Sequence, residues 1–182
     1  MKDESMKDGL MIRKSTYLST VLYVFLCGLM SGFSVWAAYY GISNWSDRAQ
    51  RGFWNQMGVL SLFLIIASVS MWFLKRKIIN VKQKDYKAFP WASGSVMKGL
   101  REAHVTLGWL AFDLGLGHSV YFMVNLPDRM NRVYSGVIAL VAMTVLIITG
   151  LMYKHRIIRL TTIKKFHLAI SGVFGVLLVT HI

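Results

Sequence analysis

Four of the five histidines form two pairs with the same spacing. His104 and His118 are fourteen residues apart in one apolar stretch, and His167 and His181 are fourteen apart in another. Fourteen helical residues bring a side chain back to within about 40° of its starting direction and about 21 Å further along. Each stretch therefore presents two imidazoles on one face, at two depths. Two such helices side by side would form two stacked bis-histidine sites, the arrangement that holds two b-type haems.

The residues between these histidines are expected to shape the space around a haem. On the face of His104 and His118 lie Gly108, Ala111 and Gly115, whose small size would let a flat macrocycle approach the helix. Small residues also serve ordinary helix contacts in membranes, so both interpretations stay open. Phe174 is seven residues from each histidine of its stretch, which predicts either a spacer between the two haems or a core residue.

Charged residues near the histidines have alternative roles. Arg101 and Lys164 precede His104 and His167 by three residues, where they are candidates to bind haem propionates or simply set membrane orientation. Asp113 lies mid-stretch, about 180° around the helix from His104. An unpaired carboxylate there is costly, so we expect it to be protonated or bonded to another span, with a proton relay as the alternative.

The elements that carry these residues are predicted to be membrane helices. Of the 182 residues, 55% are hydrophobic and 16% are charged, below the usual quarter, and the charges cluster between long apolar runs. This pattern predicts an all-α polytopic transmembrane bundle with a single haem-binding domain over residues 1–182. The five expected spans are 17–40, 55–74, 103–124, 133–153 and 164–182.

The basic residues predict how the bundle is oriented. Seventeen basic residues lie in an N-terminal tail (1–16), a loop (75–102) and the segment between the fourth and fifth spans. Four lie on the other side of the membrane. The N-terminus and both long loops are thus predicted to be cytoplasmic, in a cell membrane such as the bacterial inner membrane. The basic residues that give the net charge of +13 lie beside the spans. Membrane lipid is therefore the expected partner, and nucleic acid is not.

Topology assigns the pairs and limits the chemistry. Spans three and five would both run outward, so an inner haem is predicted on His104 and His167 and an outer haem on His118 and His181. Iron with two imidazole ligands has no open position, which favours electron transfer.

Cys27 is the only cysteine, which excludes an internal disulfide. Trp36, Trp45 and Trp54 fall near the outer boundary and predict an aromatic belt.

The chain resembles the ferric reductase-like transmembrane domain family from about Leu100 to its end. The similarity is carried by AHVTLGWLAFDLGLGHSVYF, YSGVIALVAMTVLIITGLMYKHR and IKKFHLAISGVFGVLLVTHI. The family includes NADPH oxidases, ferric-chelate reductases and the haem subunit of a bacterial methionine sulfoxide reductase. In the family the third and fifth helices carry the haem histidines, which the resemblance transfers to the four histidines above. Family members usually have a sixth helix, so the bundle is also considered as a truncated six-span one.

The resemblance implies a dihaem cytochrome b that works within a complex. No glycine-rich dinucleotide fingerprint occurs in the chain, so the electron donor is expected to be a separate flavoprotein or a quinol, and the acceptor a separate molecule outside. The alternative function is a non-catalytic, haem-containing anchor subunit of a larger respiratory complex. A small transporter that uses Asp113 and the histidines as a proton relay is a third class.

Overall fold

The described residues form a bundle of helices. The computed structural model describes residues 25–41, 44–84, 94–125, 130–155 and 160–181. Within them the helices are α1 (Phe25–Tyr40), α2 (Asp47–Lys84), α3 (Gly94–Asn125), α4 (Met130–His155) and α5 (Leu160–His181). The predicted all-α class is confirmed. The predicted tail (1–16), the start of the first span and residues 85–93 of the predicted loop lie outside the described residues.

Four of these helices, α2 to α5, are long and apolar enough to cross a membrane. The described part of α1 is a shorter apolar helix whose last turn is a π-helix over Ala37–Gly41. Large apolar side chains stay exposed along the spans, such as Phe63, Val141 and Val176, which are 62%, 58% and 66% exposed. A bundle that exposes such residues is stable in contact with lipid rather than water.

Helix α2 is longer than its apolar run predicts. It was expected to end near residue 74, yet it continues to Lys84 and is about 57 Å long by its rise per residue. The segment KRKIINVKQK contains no glycine or proline to end the helix, and Ile78 within it is only 1% exposed. Helix α3 likewise begins at Gly94, so the predicted 75–102 loop is helical at both of its ends.

Helix α3 lies centrally among its neighbours. It packs along α2, touches α4, and contacts the π-helical end of α1, while α4 packs along α5. Extended backbone contact between α3 and α5 is missing among the described residues. The two helices that carry the histidines therefore face each other across side chains rather than backbone.

Two buried clusters stabilise the bundle at different levels. One contains Ala111, Ala139, Met143 and Phe174, so it joins α3, α4 and α5 between the two histidine levels. The other contains Ala38, Trp54 and Tyr121 and joins α1, α2 and α3.

The expected aromatic belt is only partly correct. Trp36 and Trp45 are about half exposed, as a belt requires, but Trp54 is only 4% exposed. Its indole ring stacks on Tyr121 at 6.0 Å between centroids, and the ring edge packs over Gly117 of α3. Trp54 is buried because a glycine on the neighbouring helix leaves room for it, a relation that sequence position alone does not reveal.

Candidate functional site formed by paired histidines

The histidines of α3 and α5 that were assigned to the outer level face each other. The ring centroids of His118 and His181 are 6.3 Å apart, with the ring planes at 86°. With metal–nitrogen bonds of about 2.0–2.1 Å and about 1.1 Å from nitrogen to ring centre, two imidazoles sharing one metal ion lie about 6.3 Å apart. The observed separation of the outer pair equals the one expected for two imidazoles on opposite sides of one metal ion.

The histidines assigned to the inner level, His104 and His167, interact electrostatically, as His118 and His181 do at the outer level. All four side chains are partly buried. Shared metal binding by either pair stays a prediction.

Backbone carbonyls of α2 fix the two histidines of α3. His118 Nδ1 donates to the Trp54 carbonyl at 2.7 Å, and His104 Nδ1 lies 2.9 Å from the Ser68 carbonyl. A carbonyl only accepts hydrogen bonds, so Nδ1 of both rings carries a proton. In the neutral form of such a ring the lone pair is on Nε2, which is the atom that could bind a metal.

The hydroxyl of Ser68 adds a second contact at the inner level. Ser68 Oγ donates to the His104 carbonyl at 2.9 Å and lies 3.0 Å from His104 Nδ1. Since the single hydroxyl hydrogen goes to the carbonyl, the oxygen faces the ring as an acceptor. The serine therefore contacts both the ring and the backbone of the same histidine.

Hydroxyl groups of α4 contact the two histidines of α5. His167 Nδ1 is 2.9 Å from Thr149 Oγ1, and His181 Nδ1 is 3.0 Å from Ser135 Oγ. Thr149 is 6% exposed, so its contact with His167 is largely shielded from solvent. Every one of the four histidines thus has its Nδ1 atom occupied by a neighbouring helix.

The partners of the histidines repeat the interval of the histidines themselves. Trp54 and Ser68 are fourteen residues apart on α2, and Ser135 and Thr149 are fourteen apart on α4. Sequence analysis missed these residues. A signal was present for α4, because the dipeptides Ser135–Gly136 and Thr149–Gly150 recur at that interval. No such signal marks α2, where the acceptors are backbone atoms.

Glycines of the neighbouring helices adjoin three of the rings. A Cβ atom at Gly58 would be 2.7 Å from His118 Nδ1, and one at Gly136 would be 2.9 Å from His181 Cε1. At the inner level the distance from Gly150 to His167 Cε1 would be 3.7 Å, an ordinary contact. The positions of the two outer rings therefore require glycine on the neighbouring helix, whereas the position of the His167 ring does not.

Gly108 and Gly115, which were predicted to face a macrocycle, have their nearest neighbours on α2. A Cβ atom at Gly108 would be 3.8 Å from Ser68 Oγ, and one at Gly115 would be 3.2 Å from Ser61 Oγ. Ser61 Oγ also donates to the Ala111 carbonyl at 2.7 Å. These contacts favour the alternative role, close packing of α2 on α3. Phe174, by contrast, lies in the cluster with Ala111 between the two levels.

The two predicted propionate ligands lie on the surface at the inner end. Arg101 pairs with Glu102 at 3.2 Å, and its side chain is 57% exposed. Lys164 is also exposed. An exposed ion pair is worth about 0–1 kcal/mol, so Arg101 is held only weakly by Glu102. Propionate binding by these two residues stays a prediction.

Asp113 is bonded to another helix, as was expected of an intramembrane carboxylate. It is 5% exposed and lies 2.5 Å from Ser31 Oγ of α1, and Ser31 Oγ is also 3.0 Å from the Cys27 carbonyl. Ser31 Oγ is the donor to Asp113 Oδ1, so the carboxyl group of α3 accepts a hydrogen bond from α1.

Comparisons of the chain with protein-family models, curated proteins and solved structures gave no match. The chemistry of the site therefore has to be argued from its own residues. Two imidazoles at each level, each with a neighbour at Nδ1, are a donor set that would suit haem iron, because the porphyrin would supply the other four nitrogens.

Proposed function

We propose that the chain is a dihaem b-type membrane cytochrome that carries electrons between the two sides of the membrane. The observation that supports this most strongly is the state of the four histidines, all of which have Nδ1 contacts to a neighbouring helix. His104 and His167 would hold the inner haem, and His118 and His181 the outer one. Haem supplies the one-electron chemistry when it is bound.

The chain's own residues would orient and insulate the two sites. Hydrogen bonds from α2 and α4 hold the imidazole rings in one tautomer and direction. The cluster of Ala111, Ala139, Met143 and Phe174 separates the two levels with apolar side chains. Two imidazoles per site leave no position for a substrate on the iron, which favours electron transfer over chemistry at the metal.

The proposal includes the direction and the partners of electron transfer. Electrons would enter from a cytoplasmic flavoprotein or from a quinol, and leave to an acceptor on the outer side. The excess of basic residues near the inner pair supports this orientation in a cell membrane. The resemblance to ferric reductase-like transmembrane domains supports the same role.

The function is tested by electron transfer across a sealed membrane. Purified, haem-loaded protein is reconstituted into vesicles that contain trapped dithionite, and ferricyanide is added outside. We expect the protein to accelerate ferricyanide reduction, because one haem would lie near each surface. A haem-containing anchor subunit would bind haem without accelerating the reaction.

The matched control for this experiment is His167→Ala in the same vesicles. Loss of the inner ligand should return the rate to that of protein-free vesicles, while the outer haem spectrum persists. A wild-type rate no faster than that of protein-free vesicles contradicts the proposed function.

A further inference from the structure

Helix α4 presents the same short motif to both histidines of α5. Ser135–Gly136 adjoins His181, and Thr149–Gly150 adjoins His167. In each motif the hydroxyl residue contacts Nδ1 and the following glycine lies beside Cε1 of the same ring. We propose that Ser135 and Thr149 are positioning residues that orient the α5 ligands and lower the reduction potential of each haem, an inference that rests on the proposed function.

The hydrogen bonds of Thr149 define its role. Its Oγ1 donates within α4, being 2.8 Å from the Val145 carbonyl and 3.0 Å from the Leu146 carbonyl. The one hydroxyl hydrogen is thus used inside the helix, and the lone pairs of Oγ1 are left to accept from His167 Nδ1 at 2.9 Å. The proton is therefore on Nδ1, which leaves Nε2 as the atom that would bind iron.

An acceptor at Nδ1 changes the properties of the ligand as well as its direction. It increases electron density on the imidazole, so Nε2 becomes a more basic ligand. A more basic axial ligand stabilises ferric over ferrous iron, and the reduction potential falls. Removing the acceptor should raise the potential of the haem that His167 binds.

The two sides of each haem differ in how the acceptor is supplied. The α3 ligands bond to backbone carbonyls of Trp54 and Ser68, which substitution of Trp54 would leave chemically unchanged. The α5 ligands contact the side-chain hydroxyls of Ser135 and Thr149, which a single substitution removes, although His167 also has a hydrogen bond to the Leu146 backbone. Helix α4 thus supplies a side-chain acceptor at each level, and its removal should change the potential of the haem at that level.

Replacement of Thr149 tests the inference with the whole chain loaded with haem. Thr149→Val keeps the shape of the side chain and removes the acceptor, and Thr149→Ser keeps the acceptor. Thr144→Val is the matched control, because Thr144 Oγ1 donates to the Leu140 carbonyl within the same helix. Reduction potentials of both haems are measured by optical titration, with haem content and melting temperature recorded for each variant.

We expect Thr149→Val to raise the potential of one haem and leave the other unchanged, while Thr149→Ser and Thr144→Val resemble wild type. If Thr149→Val loses one haem, retention of that haem by Thr149→Ser at an equal melting temperature also supports the inference. Two haems with wild-type potentials in Thr149→Val overturn it and leave the proposed function intact. Absence of haem from wild-type protein would instead reject the proposed function.

Ser135 is tested in the same way at the outer level. Ser135→Ala should raise the potential of the haem that Thr149→Val leaves unchanged, and Ser135→Thr should restore it. The two substitutions together should raise both potentials. If Ser135→Ala and Thr149→Val act on the same haem, the assignment of one motif to each level is wrong.

Discussion

At the scale of single residues, the space for each imidazole of the outer pair is limited by a glycine on another helix. Gly58 of α2 lies against His118, and Gly136 of α4 lies against His181. A side chain at either position would not need to disturb the backbone, because the ring can move away. The movement would take Nε2 out of position, so these glycines affect ligation more than folding.

Gly136→Ala should remove or weaken the outer haem. The new Cβ atom would be 2.9 Å from His181 Cε1, so the ring must shift. Gly150→Ala is the control at the inner level, where the new Cβ atom would be 3.7 Å from His167 Cε1. Haem content should fall toward one per chain in the first variant and stay at two in the second. Equal haem content in both variants would contradict this account of the site.

Gly58→Ala should have the same effect from the α2 side. Its Cβ atom would be 2.7 Å from His118 Nδ1 and would break the bond to the Trp54 carbonyl. Gly52→Ala, on the same helix and with nothing within 4 Å, should keep both haems and stabilise α2 by up to about 1 kcal/mol. The measurement is the α-band amplitude per chain, and a normal amplitude in Gly58→Ala would be the contrary result.

At the scale of helices, α3 is held by contacts with α1 and α2. Gly117 makes this packing possible, because Trp54 lies against it and the Ser34 carbonyl is near. Asp113 adds a polar bond from α3 to Ser31 of α1. The position of the α3 histidines therefore also depends on contacts between residues other than the histidines.

Gly117→Ala should destabilise the bundle. A Cβ atom there would be 2.5 Å from the Trp54 ring, and forcing extra volume into a packed site costs about 1–3 kcal/mol. Gly99→Ala, also on α3 but with nothing within 4 Å, is the control. The melting temperature in detergent should fall in the first variant only. Equal melting temperatures for the two variants would contradict the packing of Trp54 on Gly117 of α3.

Asp113→Asn should leave the haem spectrum and potentials unchanged. Asparagine retains hydrogen-bonding groups for Ser31, and Asp113 is bonded to α1 rather than to either histidine pair. In a proton-relay transporter the same substitution would abolish transport. Unchanged difference spectra, with electron transfer in vesicles at the wild-type rate, are the expected result. Loss of electron transfer with both haems present would favour the relay.

The sequence predicts these helices well where one periodic signal decides them. The apolar runs identify α2 to α5, and the fourteen-residue interval anticipates the contact between the rings of His118 and His181. Such a signal fails where contacts with another helix determine the structure. The hydropathy pattern predicts that α2 ends near residue 74, but no helix-breaking residue follows before Lys84. Gly108 and Gly115 share the histidine face by angle, yet their closest contacts are serines of α2.

At the scale of the whole molecule, the bundle contains two closely packed helix pairs, α2 with α3 and α4 with α5. Each pair combines a helix that carries two histidines with a helix that contacts their Nδ1 atoms. The cluster around Phe174 lies between the two histidine levels of α3 and α5. This division of roles explains why the same interval occurs on four helices and why α3 and α5 do not pack backbone to backbone.

Haem content in wild type and in single histidine variants tests this account most directly. We predict two b-type haems per chain in purified wild-type protein, quantified as the pyridine haemochrome. His104→Ala and His167→Ala should each leave one haem, with identical spectra, and His118→Ala and His181→Ala should each leave the other. Wild-type protein with no haem, or histidine variants that all keep two, would contradict the paired-histidine sites.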